Sequence, residues 1–553
     1  MANLKDTIAA TNDHDHDHDW PEKVRDRQIS LDDLTTNITF EGPNDFSLDP
    51  YAGYSFRGLP IYDLDGVIDQ IATGRSVTAS NGVITYSFAD TPTLTGLYNN
   101  PNYGFTAGNG FSPFTEEQRA EARDSVQLWD DLVAVEFRET NGRGADIQFA
   151  NSLDPAQAYA YYPVNGRGWQ FQSDVFVADP EVNWTNAWLG FGGYGATTLI
   201  HELGHSLGLS HPGNYNGAGA TTYANQAEYA QDSEQYTIMS YWNMAETSNQ
   251  PFAGGIVDWG TLYYNNPQTP LVHDILAIQS VYGADPDTRT GDTVYGYNST
   301  ADNAVYDFSL NEYPYLSIYD AGGIDTIDMS GAGASVYINL NEGAFSSGAE
   351  ALPDAAEVNA NRAEISAISG NPLGLVSQAT MDFYTDLVGD RYEAILEFET
   401  GVSGLRTTSH DNLSIAYGTV IENAIGSTER DYLLGNDVDN VLTGLGGDDV
   451  LVGGFGNDTL IGGEGADELS GGAGADLFVI EGNDIITDFA SGEDTIDLSG
   501  YDFSYVGENA FSGTAGELRY EDGMLMGDFD GDGVADLFVD VQGDPIVMND
   551  LVL

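Results

Sequence analysis

The sequence contains no cysteine among its 553 residues. The chain therefore has neither disulfide bonds nor a thiol nucleophile, and extra stabilisation outside the cell must come from bound metal. Basic residues are also scarce, because 17 lysines and arginines stand against 87 aspartates and glutamates, a formal net charge of −70. Such a charge argues against nucleic acid or an anionic membrane as a partner, and it implies neutralisation by calcium or by a salty medium.

Long apolar runs are missing as well. No segment approaches the length of a membrane-spanning helix, and the stretch from Met1 to Trp20 lacks the apolar core of a secretory signal. We therefore predict no membrane span and, if the protein is exported, a route without an N-terminal signal. The hydrophobic fraction of 41% is ordinary, so a chain of this length is expected to form two or more domains.

Three of only eight histidines fall within eleven positions, in the stretch His201-Glu-Leu-Gly-His-Ser-Leu-Gly-Leu-Ser-His211. On a helix, His201 and His205 lie on one face, where both imidazoles can reach one zinc ion. Gly208 can end that helix in a left-handed conformation, which lets His211 complete the ligand set. Glu202 then has the position of a general base for a zinc-bound water. The alternative, a helix with scattered core histidines, explains the full pattern poorly.

Residues 1 to 50 form a polar leader whose composition does not predict a packed core. His14, His16 and His18 alternate with aspartates, so the leader could hold a metal or lie across the zinc site as a propeptide. A simply solvated tail is the alternative interpretation.

From Tyr51 onward the pattern is that of a globular α/β unit. Three strands are predicted in it, over residues 83–88, 145–150 and 158–162. Thr115 and Gln118 have the spacing of a capping box and predict the start of a helix. The apolar stripe of that helix consists of Ala122, Val126, Trp129 and Val133. Thr197 or Thr198 is expected to cap the zinc-binding helix.

A second motif, Tyr236-Thr-Ile-Met239-Ser-Tyr241, follows the zinc motif. The pairing of the long zinc motif with a methionine turn is typical of the metzincin metalloproteases. The chain further resembles the serralysins, a family of secreted bacterial proteases, from about residue 80 to the C-terminus. The segments that carry this narrower resemblance are 210–213, 274–279, 282–284 and 288–295.

The resemblance implies roles for Met239, Tyr241 and the predicted strand over 158–162. Met239 would form a hydrophobic floor under the zinc, and Tyr241 would be a further zinc ligand that can leave the metal to stabilise the oxyanion. One more buried tyrosine is the alternative for Tyr241. The strand would align the substrate backbone at a sheet edge, which predicts broad peptide specificity.

Glycine recurs every nine residues from Gly426 to Gly471, within blocks of the form G-G-x-G-x-D-x-U-x that are typical of calcium-binding β-rolls. Glycine turns bring carbonyl oxygens close together, while the aspartates supply the hard oxygens that calcium prefers. The predicted ligands are Gly444, Gly446, Asp449, Gly453, Gly454, Gly456, Asp458, Gly462, Gly463, Gly465, Asp467, Gly471, Gly472, Gly474 and Asp476. A disordered linker rich in glycine and aspartate is the alternative.

The apolar position two residues after each aspartate is expected to pack inward as the turns stack; these positions are Leu451, Leu460, Leu469 and Phe478. Without calcium the aspartates would face one another and the coil should loosen. The first two blocks, 426–431 and 435–440, lack glycines that the ion would require. We expect them to cap the coil and to bind calcium weakly or not at all.

Further features lie outside the repeats. The resemblance implies a calcium site formed by Arg289, Gly291 and Thr293 with Asp320, Gly322, Gly323 and Asp325. The segment 528–536 begins like an EF-hand loop but lacks the distal glutamate, so a calcium loop and an acidic turn both stay open. Residues from about 344 to 410 form an insertion relative to the family. The end, 548–553, is similar to a type I secretion signal, and a terminal hydrophobic strand is a compatible alternative.

Together these features predict a secreted, extracellular zinc endopeptidase that is folded and stabilised by calcium. An α+β metzincin catalytic domain spans 51–283, and an all-β domain with a parallel β-roll and a β-sandwich spans 284–553. The expected partners are protein and peptide substrates and the type I secretion machinery, and the chain is expected to be a monomer. The alternatives are a calcium-dependent RTX binding or adhesion protein with an inactive protease domain, and a protease of narrow specificity. The intact Glu202 favours an enzyme over a binding module.

Overall fold

The computed structural model describes residues 47–91, 110–141, 144–153, 157–166, 169–171, 173–215, 222–252 and 255–553. The chain divides into two compact units. The first comprises residues up to Thr288 together with Tyr313–Ala321 and Pro353–Asp382, and the second comprises Arg289–Glu312, Gly322–Leu352 and Phe383–Leu553. The predicted leader lies outside the described residues except for 47–50, where Ser47 and Leu48 are buried and therefore belong to the packed first unit.

The first unit contains a five-stranded sheet. The strands of the whole unit up to Thr288 are, in chain order, β1 (Ser55–Phe56), β2 (Leu59–Pro60), β3 (Val83–Phe88), β4 (Glu136–Glu139), β5 (Ile147–Ser152), β6 (Ala158–Ala160), β7 (Val164–Gly166), β8 (Trp169–Phe171), β9 (Ser173–Ala178), β10 (Val257–Asp258) and β11 (Tyr263–Tyr264). The order in the sheet is β4-β3-β5-β9-β6. The first four of these strands run parallel, and β6 lies antiparallel to β9 at the edge. The predicted strands over 83–88, 145–150 and 158–162 therefore all exist, the last one shortened.

Helices accompany this sheet. They are α1 (Leu64–Ile71), α2 (Glu116–Asp130), α3 (Tyr194–Leu207), α4 (Tyr223–Gln226) and α5 (Val272–Tyr282). The predicted capping box at the start of α2 is confirmed, since the Thr115 side chain accepts from the Gln118 N–H and the Gln118 side chain accepts from the Thr115 N–H. The helix ends at Asp130, so Val133 reaches the core from the segment after the helix and not, as predicted, from the helix itself.

The zinc-motif helix α3 begins earlier than predicted. Its N-cap is Gly193, and neither Thr197 nor Thr198 caps it. A Cβ at Gly193 would lie 2.6 Å from the Trp188 carbonyl oxygen, so the close turn before the helix requires glycine and sets the start of the helix there. The two threonine hydroxyls are inside the helix, where Thr198 donates to the carbonyl of Tyr194 at 2.7 Å.

The remaining strands are mostly short. In chain order they are β12 (Val294–Gly296), β13 (Leu316–Ile318), β14 (Thr326–Asp328), β15 (Tyr337–Asn339), β16 (Phe345–Ser346), β17 (Leu413–Ile415), β18 (Asn423–Ile425), β19 (Tyr432–Leu434), β20 (Val441–Gly446), β21 (Val450–Phe455), β22 (Thr459–Glu464), β23 (Glu468–Ala473), β24 (Leu477–Val479), β25 (Ile485–Phe489), β26 (Thr495–Asp497), β27 (Ser504–Tyr505), β28 (Glu517–Glu521), β29 (Met524–Asp528), β30 (Leu537–Gly543) and β31 (Leu551–Val552).

Two large sheets of parallel strands dominate the second unit. One has the order β12-β14-β18-β20-β22-β24-β26-β31, and the other runs β15-β19-β21-β23-β25-β30 before an antiparallel end made of β29 and β28, with β27 beyond them. Within the repeats, each strand pairs with the strand 18 residues further on, as Leu442 with Leu460 and Leu451 with Leu469. Two nine-residue blocks therefore make one turn that visits both sheets.

The apolar positions after the repeat aspartates face the interior between successive turns. Leu451, Leu460, Leu469 and Phe478 all have fully buried side chains, as predicted. Because each inward side chain stacks on its equivalent from the neighbouring turn, the repeat builds a continuous apolar core from very short strands.

The segment over 344–410, which was predicted to be an insertion, contains two helices, α6 (Ala355–Ser369) and α7 (Gln378–Thr400). The prediction that residues 284–553 are all-β is therefore wrong in this segment. Helix α6 and the segment after it, up to Asp382, group with the first unit, although they are flanked in sequence by residues of the second. At the C-terminal end, β31 pairs in parallel with β26, which agrees with the predicted terminal strand. Among the described residues, no helix is both long enough and apolar enough to span a membrane.

Candidate metal centres

The three motif histidines converge at the end of α3. His201 and His205 lie on one helix face, and Nε2 of His211 comes within 3.3 Å of His201 Nε2 and 3.1 Å of His205 Nε2. All three side chains are buried. Zn–N bonds of about 2.0–2.1 Å in a tetrahedral arrangement place the ligating nitrogens roughly 3.3 Å apart. The donor set therefore fits a zinc ion.

The orientation of two of these imidazoles is set by backbone carbonyls. Nδ1 of His201 lies 2.7 Å from the carbonyl oxygen of Ile238, and Nδ1 of His205 lies 2.8 Å from that of Leu209. Because a carbonyl oxygen only accepts, each Nδ1 carries the hydrogen and each Nε2 presents its lone pair to the centre of the cluster. This is the tautomer that binds metal, and it is fixed by the protein itself.

Gly208 makes the turn that brings His211 to the other two histidines. It ends α3 in the left-handed region at φ +112°, as predicted, and its N–H donates to the carbonyls of Gly204 and His205. A Cβ at this position would clash with the carbonyl oxygen of Arg75. Both the backbone angle and the available space therefore require glycine.

Met239 packs beneath the histidine helix and is fully buried. A Cβ at Gly204 would come within 2.8 Å of the Met239 sulfur, so glycine at this position allows the close approach. Asp274 anchors the same turn by accepting from the Ile238 N–H at 2.7 Å and from the Thr237 hydroxyl at 2.5 Å. Burial raises the pKa of Asp274 to about 6. Asp274 lies 35 residues beyond Met239, so no local spacing predicts these supporting contacts.

Tyr241 lies beside the histidine cluster, with its ring centroid 4.3 Å from that of His211. Tyr215 stacks on His211 at 5.7 Å and also contacts Tyr241, with ring centroids 4.9 Å apart, and its hydroxyl donates to Asp232 at 2.7 Å. Ser240, next to Tyr241, also donates to Asp232 at 2.8 Å. The buried Asp232 thus links the third histidine with the methionine turn, although neither Asp232 nor Tyr215 belongs to a predicted motif.

Strand β6 leads directly to the histidine cluster. It lies at the sheet edge, as expected for the segment over 158–162. Tyr162, two residues after the strand, packs edge-on against His205 with centroids 5.3 Å apart. An extended peptide paired with this strand would therefore run past the three histidines. Glu202, the predicted general base, is buried on α3 next to His201.

The repeat aspartates share one hydrogen-bonding arrangement. One oxygen of each carboxylate accepts from the backbone N–H of the residue 18 positions earlier; for example, Asp467 accepts from Asp449 and Asp476 accepts from Asp458, both at 2.9 Å. The second oxygen is buried and has no hydrogen-bond partner in the structure. This holds for Asp449, Asp458, Asp467 and Asp476. A buried unpaired carboxylate oxygen is costly without a cation, so the arrangement fits calcium.

The first glycine of each block makes room for that second oxygen. A Cβ at Gly444, Gly453, Gly462 or Gly471 would overlap the second carboxylate oxygen of the aspartate five residues later. The same Cβ at Gly444 would lie 2.5 Å from the carbonyl oxygen of Gly462, and at Gly453 2.6 Å from that of Gly471. Carboxylate and carbonyl oxygens thus meet in a space that only glycine leaves open.

The electrostatics of the repeats point the same way. Burial raises the pKa of Asp449 to about 8, and those of Asp458 and Asp467 to about 6. Neighbouring aspartates contribute to each of these raised pKa values. The folded repeats therefore hold carboxylates that resist ionisation unless a cation accompanies them.

The two degenerate blocks satisfy their acidic or amide side chains with protein donors. Asp431 accepts from the Ser427 N–H and hydroxyl and from the Val336 N–H. In the next block Asn440 stands in place of aspartate and accepts from the Asn436 N–H at 2.8 Å. The oxygens that an ion would use already accept hydrogen bonds, and weak or absent calcium binding by these blocks stays a prediction.

One predicted repeat position needs correction. Gly446 pairs with Glu464 inside the strand ladder, whereas Gly447 adopts φ +116°, close to the +113° of Gly456 in the next block. Gly447 therefore occupies the place assigned to Gly446. The block reads Gly-Leu-Gly-Gly, and its two adjacent glycines fit the repeat pattern almost equally, so the sequence alone does not distinguish them.

The structure adds one aspartate that the nine-residue spacing misses. Asp484 accepts from the Asp467 N–H at 3.2 Å and has a buried second oxygen without a hydrogen-bond partner, like the repeat aspartates. It follows Asp467 by 17 residues rather than 18. A local pattern still identifies it. The last glycine, the aspartate and the buried apolar residue of a repeat block have their equivalents in Gly482, Asp484 and Ile486, at the same relative spacing.

Some of the residues predicted to bind calcium outside the repeats lie close together. Asp325 accepts from the Thr293 N–H at 2.7 Å, and a Cβ at Gly323 would lie 2.6 Å from the carbonyl oxygen of Gly291. Gly322 adopts φ +140°, and the Arg289 side chain pairs with Asp302 at 3.2 Å. Asp320 is buried and belongs to the first unit.

The acidic segment over 528–536 forms the turn between β29 and β30. Ligand atoms of Asp528, Asp530 and Asp536 all lie within 4.8 Å of one another. Asp528 is buried and accepts from the N–H groups of Gly531 and Gly533, whereas Asp530 and Asp536 are exposed. The geometry is compatible with both interpretations of this segment. His14, His16 and His18 lie outside the described residues.

Known proteins similar to this chain cover most of its length. A family model described as Peptidase M10 serralysin C terminal matches residues 284–370 and 379–553. Metallopeptidase AprA of Pseudomonas marginalis is 35% identical over 549 residues, which cover 94% of this chain and 93% of that protein. A serralysin of Photorhabdus luminescens is 37% identical over 463 residues, 80% of each protein. Serralysin G of Dickeya chrysanthemi is 33% identical over 525 residues, 89% of this chain and 91% of the relative.

Proposed function

Because the chain belongs to the serralysin family of zinc metalloproteases, we propose that it is a secreted endopeptidase that hydrolyses peptide bonds of extracellular proteins. The observation that supports this most directly is the convergence of three Nε2 atoms, two of which belong to imidazoles whose Nδ1 is bonded to a backbone carbonyl. Buried lone pairs that converge in this way are stabilised only by a cation between them.

The zinc ion that fits His201, His205 and His211 would supply Lewis-acid polarisation of the substrate carbonyl and an acidified water. Glu202 takes the proton from the attacking water and passes it to the leaving amine. The Tyr241 hydroxyl donates to the oxygen on which negative charge develops. Strand β6 pairs with the substrate backbone, so the site reads main chain more than side chains and should accept many sequences.

The architecture proposed for this activity has a metzincin catalytic domain followed by a calcium-loaded β-roll. Calcium would bind the repeat aspartates together with the facing glycine carbonyls, and it would bind the site formed around Asp325. Since cytosolic calcium is scarce, the repeats would stay loose inside the cell and fold after export by a type I secretion system. Calcium would also offset part of the net charge of −70.

The experiment that tests the proposed function is casein hydrolysis by the calcium-loaded protein. We expect activity that a zinc chelator abolishes and that zinc restores, and a loss of about 10³-fold in Glu202→Gln, because a general base contributes typically 10²–10⁴-fold. The control is Glu181→Gln, which removes the same charge from an exposed position. Full activity in Glu202→Gln, or no hydrolysis by protein with confirmed zinc and calcium, would contradict the proposal.

A further inference from the structure

Helix α6 belongs to the first unit, and Ile365 is one of the apolar residues that it buries there. Ile365 is only 3% exposed and forms a buried cluster with Trp188 and Tyr263, against which Trp184 and Leu373 also pack. Ile368, one turn further along the same helix, is 40% exposed. The helix therefore has a defined buried face, and that face meets the segment that precedes the zinc-motif helix.

Polar contacts fix the same helix to the loop beside β11. Arg362 is buried and donates from Nη1 to the carbonyl of Thr261 at 3.2 Å, while its Nε and Nη2 donate to the carbonyl of Gly374. Asn361 donates to the carbonyl of Gly260 at 3.2 Å. A buried guanidinium is stable only when its N–H groups find acceptors. These hydrogen bonds therefore set the position of the helix more closely than apolar contact alone would.

The cluster holds a single-turn 3₁₀ helix, Trp184–Ala187, and the residue after it. Trp188 packs edge-on against Tyr263 with centroids 5.3 Å apart, and its indole stacks with Trp184 at 6.3 Å. The chain then continues through Gly190, Gly192 and Gly193 to the start of α3. Glycines lower the intrinsic stiffness of this connection, so the position of the turn depends on what packs against it.

The same turn contacts both parts of the proposed site. The carbonyl of Trp188 accepts from the Gly195 N–H at 3.0 Å, in the first turn of α3. Asn186 accepts from the Gln157 side chain at 2.6 Å and donates to the carbonyls of Gln157 and Ala178 at 3.1 and 3.0 Å. Gln157 immediately precedes the edge strand β6, and it also donates to the Thr198 hydroxyl at 3.0 Å.

We propose that α6 is a positioning element for extended peptide substrates. By holding the turn over 184–188, it fixes the start of β6 and the first turn of α3 relative to each other. Substrates that pair with β6 over several residues depend on this placement, whereas a substrate too short to pair with the strand does not. This inference rests on the proposed function and assigns to the insertion a role in substrate binding rather than in the chemical step.

The test compares Ile365→Ala with the matched control Ile368→Ala on the same helix. We expect Ile365→Ala to raise KM about fivefold for an eight-residue peptide cleaved at its centre, with kcat and zinc content close to wild type. For a blocked dipeptide substrate, kcat/KM should change less than twofold. Arg362→Lys should shift KM in the same direction, because an ammonium cannot reproduce the planar set of donors.

A second measurement does not depend on activity. Hydrogen exchange followed by mass spectrometry should be faster for amides of 157–162 and 184–195 in Ile365→Ala, and unchanged in Ile368→Ala. If Ile365→Ala does not fold, Ile365→Val takes its place with the same direction of change. Unchanged exchange at β6, or equal losses for long and short substrates, would overturn the inference. An inactive wild-type protein that still shows the exchange difference would instead refute the proposed function and leave the placement of β6 by α6 standing.

Discussion

His201 and His205 in the first unit are held by backbone carbonyls, so the cluster is oriented by the protein alone. In the second unit, Asp449, Asp458, Asp467, Asp476 and Asp484 each have one oxygen that accepts a hydrogen bond and a second that is buried without a partner. The neutral imidazoles cost little when no ion is present, whereas the buried carboxylates cost a great deal. From this contrast we propose that zinc acts on a preformed site, while calcium is part of what makes the repeats fold.

Removal of calcium should give the largest effect. Five buried carboxylates would face a low-dielectric interior without a counter-ion, at a cost of a few kcal/mol each. The summed cost exceeds the roughly 5–15 kcal/mol by which domains are usually stable. We expect excess chelator to abolish most of the β signal in far-UV circular dichroism, and calcium but not magnesium to restore it. Removal of zinc alone should leave the spectrum intact. Repeats that keep their β-structure in chelator would remove the contrast between the two units.

A buried ion pair in the second unit can be compared with the repeat aspartates, because here a protein side chain and not a metal ion is the cation that neutralises acidic groups. His410 lies 2.7 Å from Glu399 and 3.4 Å from Asp411, all buried. Burial alone would lower the pKa of His410, but the two carboxylates outweigh it and raise the pKa to about 9. This stabilisation is fully present below about pH 6.5 and is lost as pH rises toward 9, by about 3 kcal/mol.

Urea unfolding in saturating calcium at pH 6 and pH 9.5 measures this change. In His410→Gln the decrease between the two pH values should disappear, because the titrating group is absent. A decrease of the same size in the variant would assign the pH dependence to other groups, the calcium ligands included.

Tyr241→Phe examines the first unit by changing function without changing the fold. Loss of one oxyanion donor typically lowers kcat by 10²–10³-fold, so we expect about 100-fold, equivalent to about 2.7 kcal/mol. The thermal transition should stay within the scatter of the wild type, as should that of the control Tyr54→Phe, whose side chain is 72% exposed. A kcat close to wild type would exclude Tyr241 from the oxyanion role.

Asp458→Asn tests a single repeat site and should have the smallest effect of the four. The substitution keeps the shape of the side chain but removes its charge, so the calcium concentration for half-maximal folding should rise about tenfold. Asp437→Asn removes a charge from an exposed position in the same region and serves as the control. Equal shifts in both variants would indicate that overall charge, not the individual site, determines calcium binding.

The local parts of this protein could be predicted from the sequence. The zinc motif, the helix end at Gly208 and the capping box at Thr115 depend on spacings of a few residues within one element. The repeats could be predicted because the same nine-residue pattern recurs. The buried position of Leu451 and its equivalents follows from that pattern. Where two glycines competed for one position, as at Gly446 and Gly447, the pattern was ambiguous and the backbone angle decided.

Contacts between distant segments were not predictable. Asp274 secures the methionine turn from 36 residues beyond Ile238, and Asp232 joins Tyr215 to Ser240 across a fold that no spacing reveals. Asp484 was missed because a single deleted residue breaks the period while the stacked strands still bring it into place. In each case the partner is chosen by packing, and packing is a property of the whole unit.

The sequence by itself predicted the chemistry that we propose for the protein: which residues bind zinc, which glutamate lies beside them, and that the second half holds calcium. Those predictions were possible because ligand type and spacing are local constraints. Only the tertiary structure decided where the insertion belongs. Helix α6 joins the first unit because Ile365 and Arg362 find their apolar and carbonyl partners there, more than 100 residues earlier in the chain.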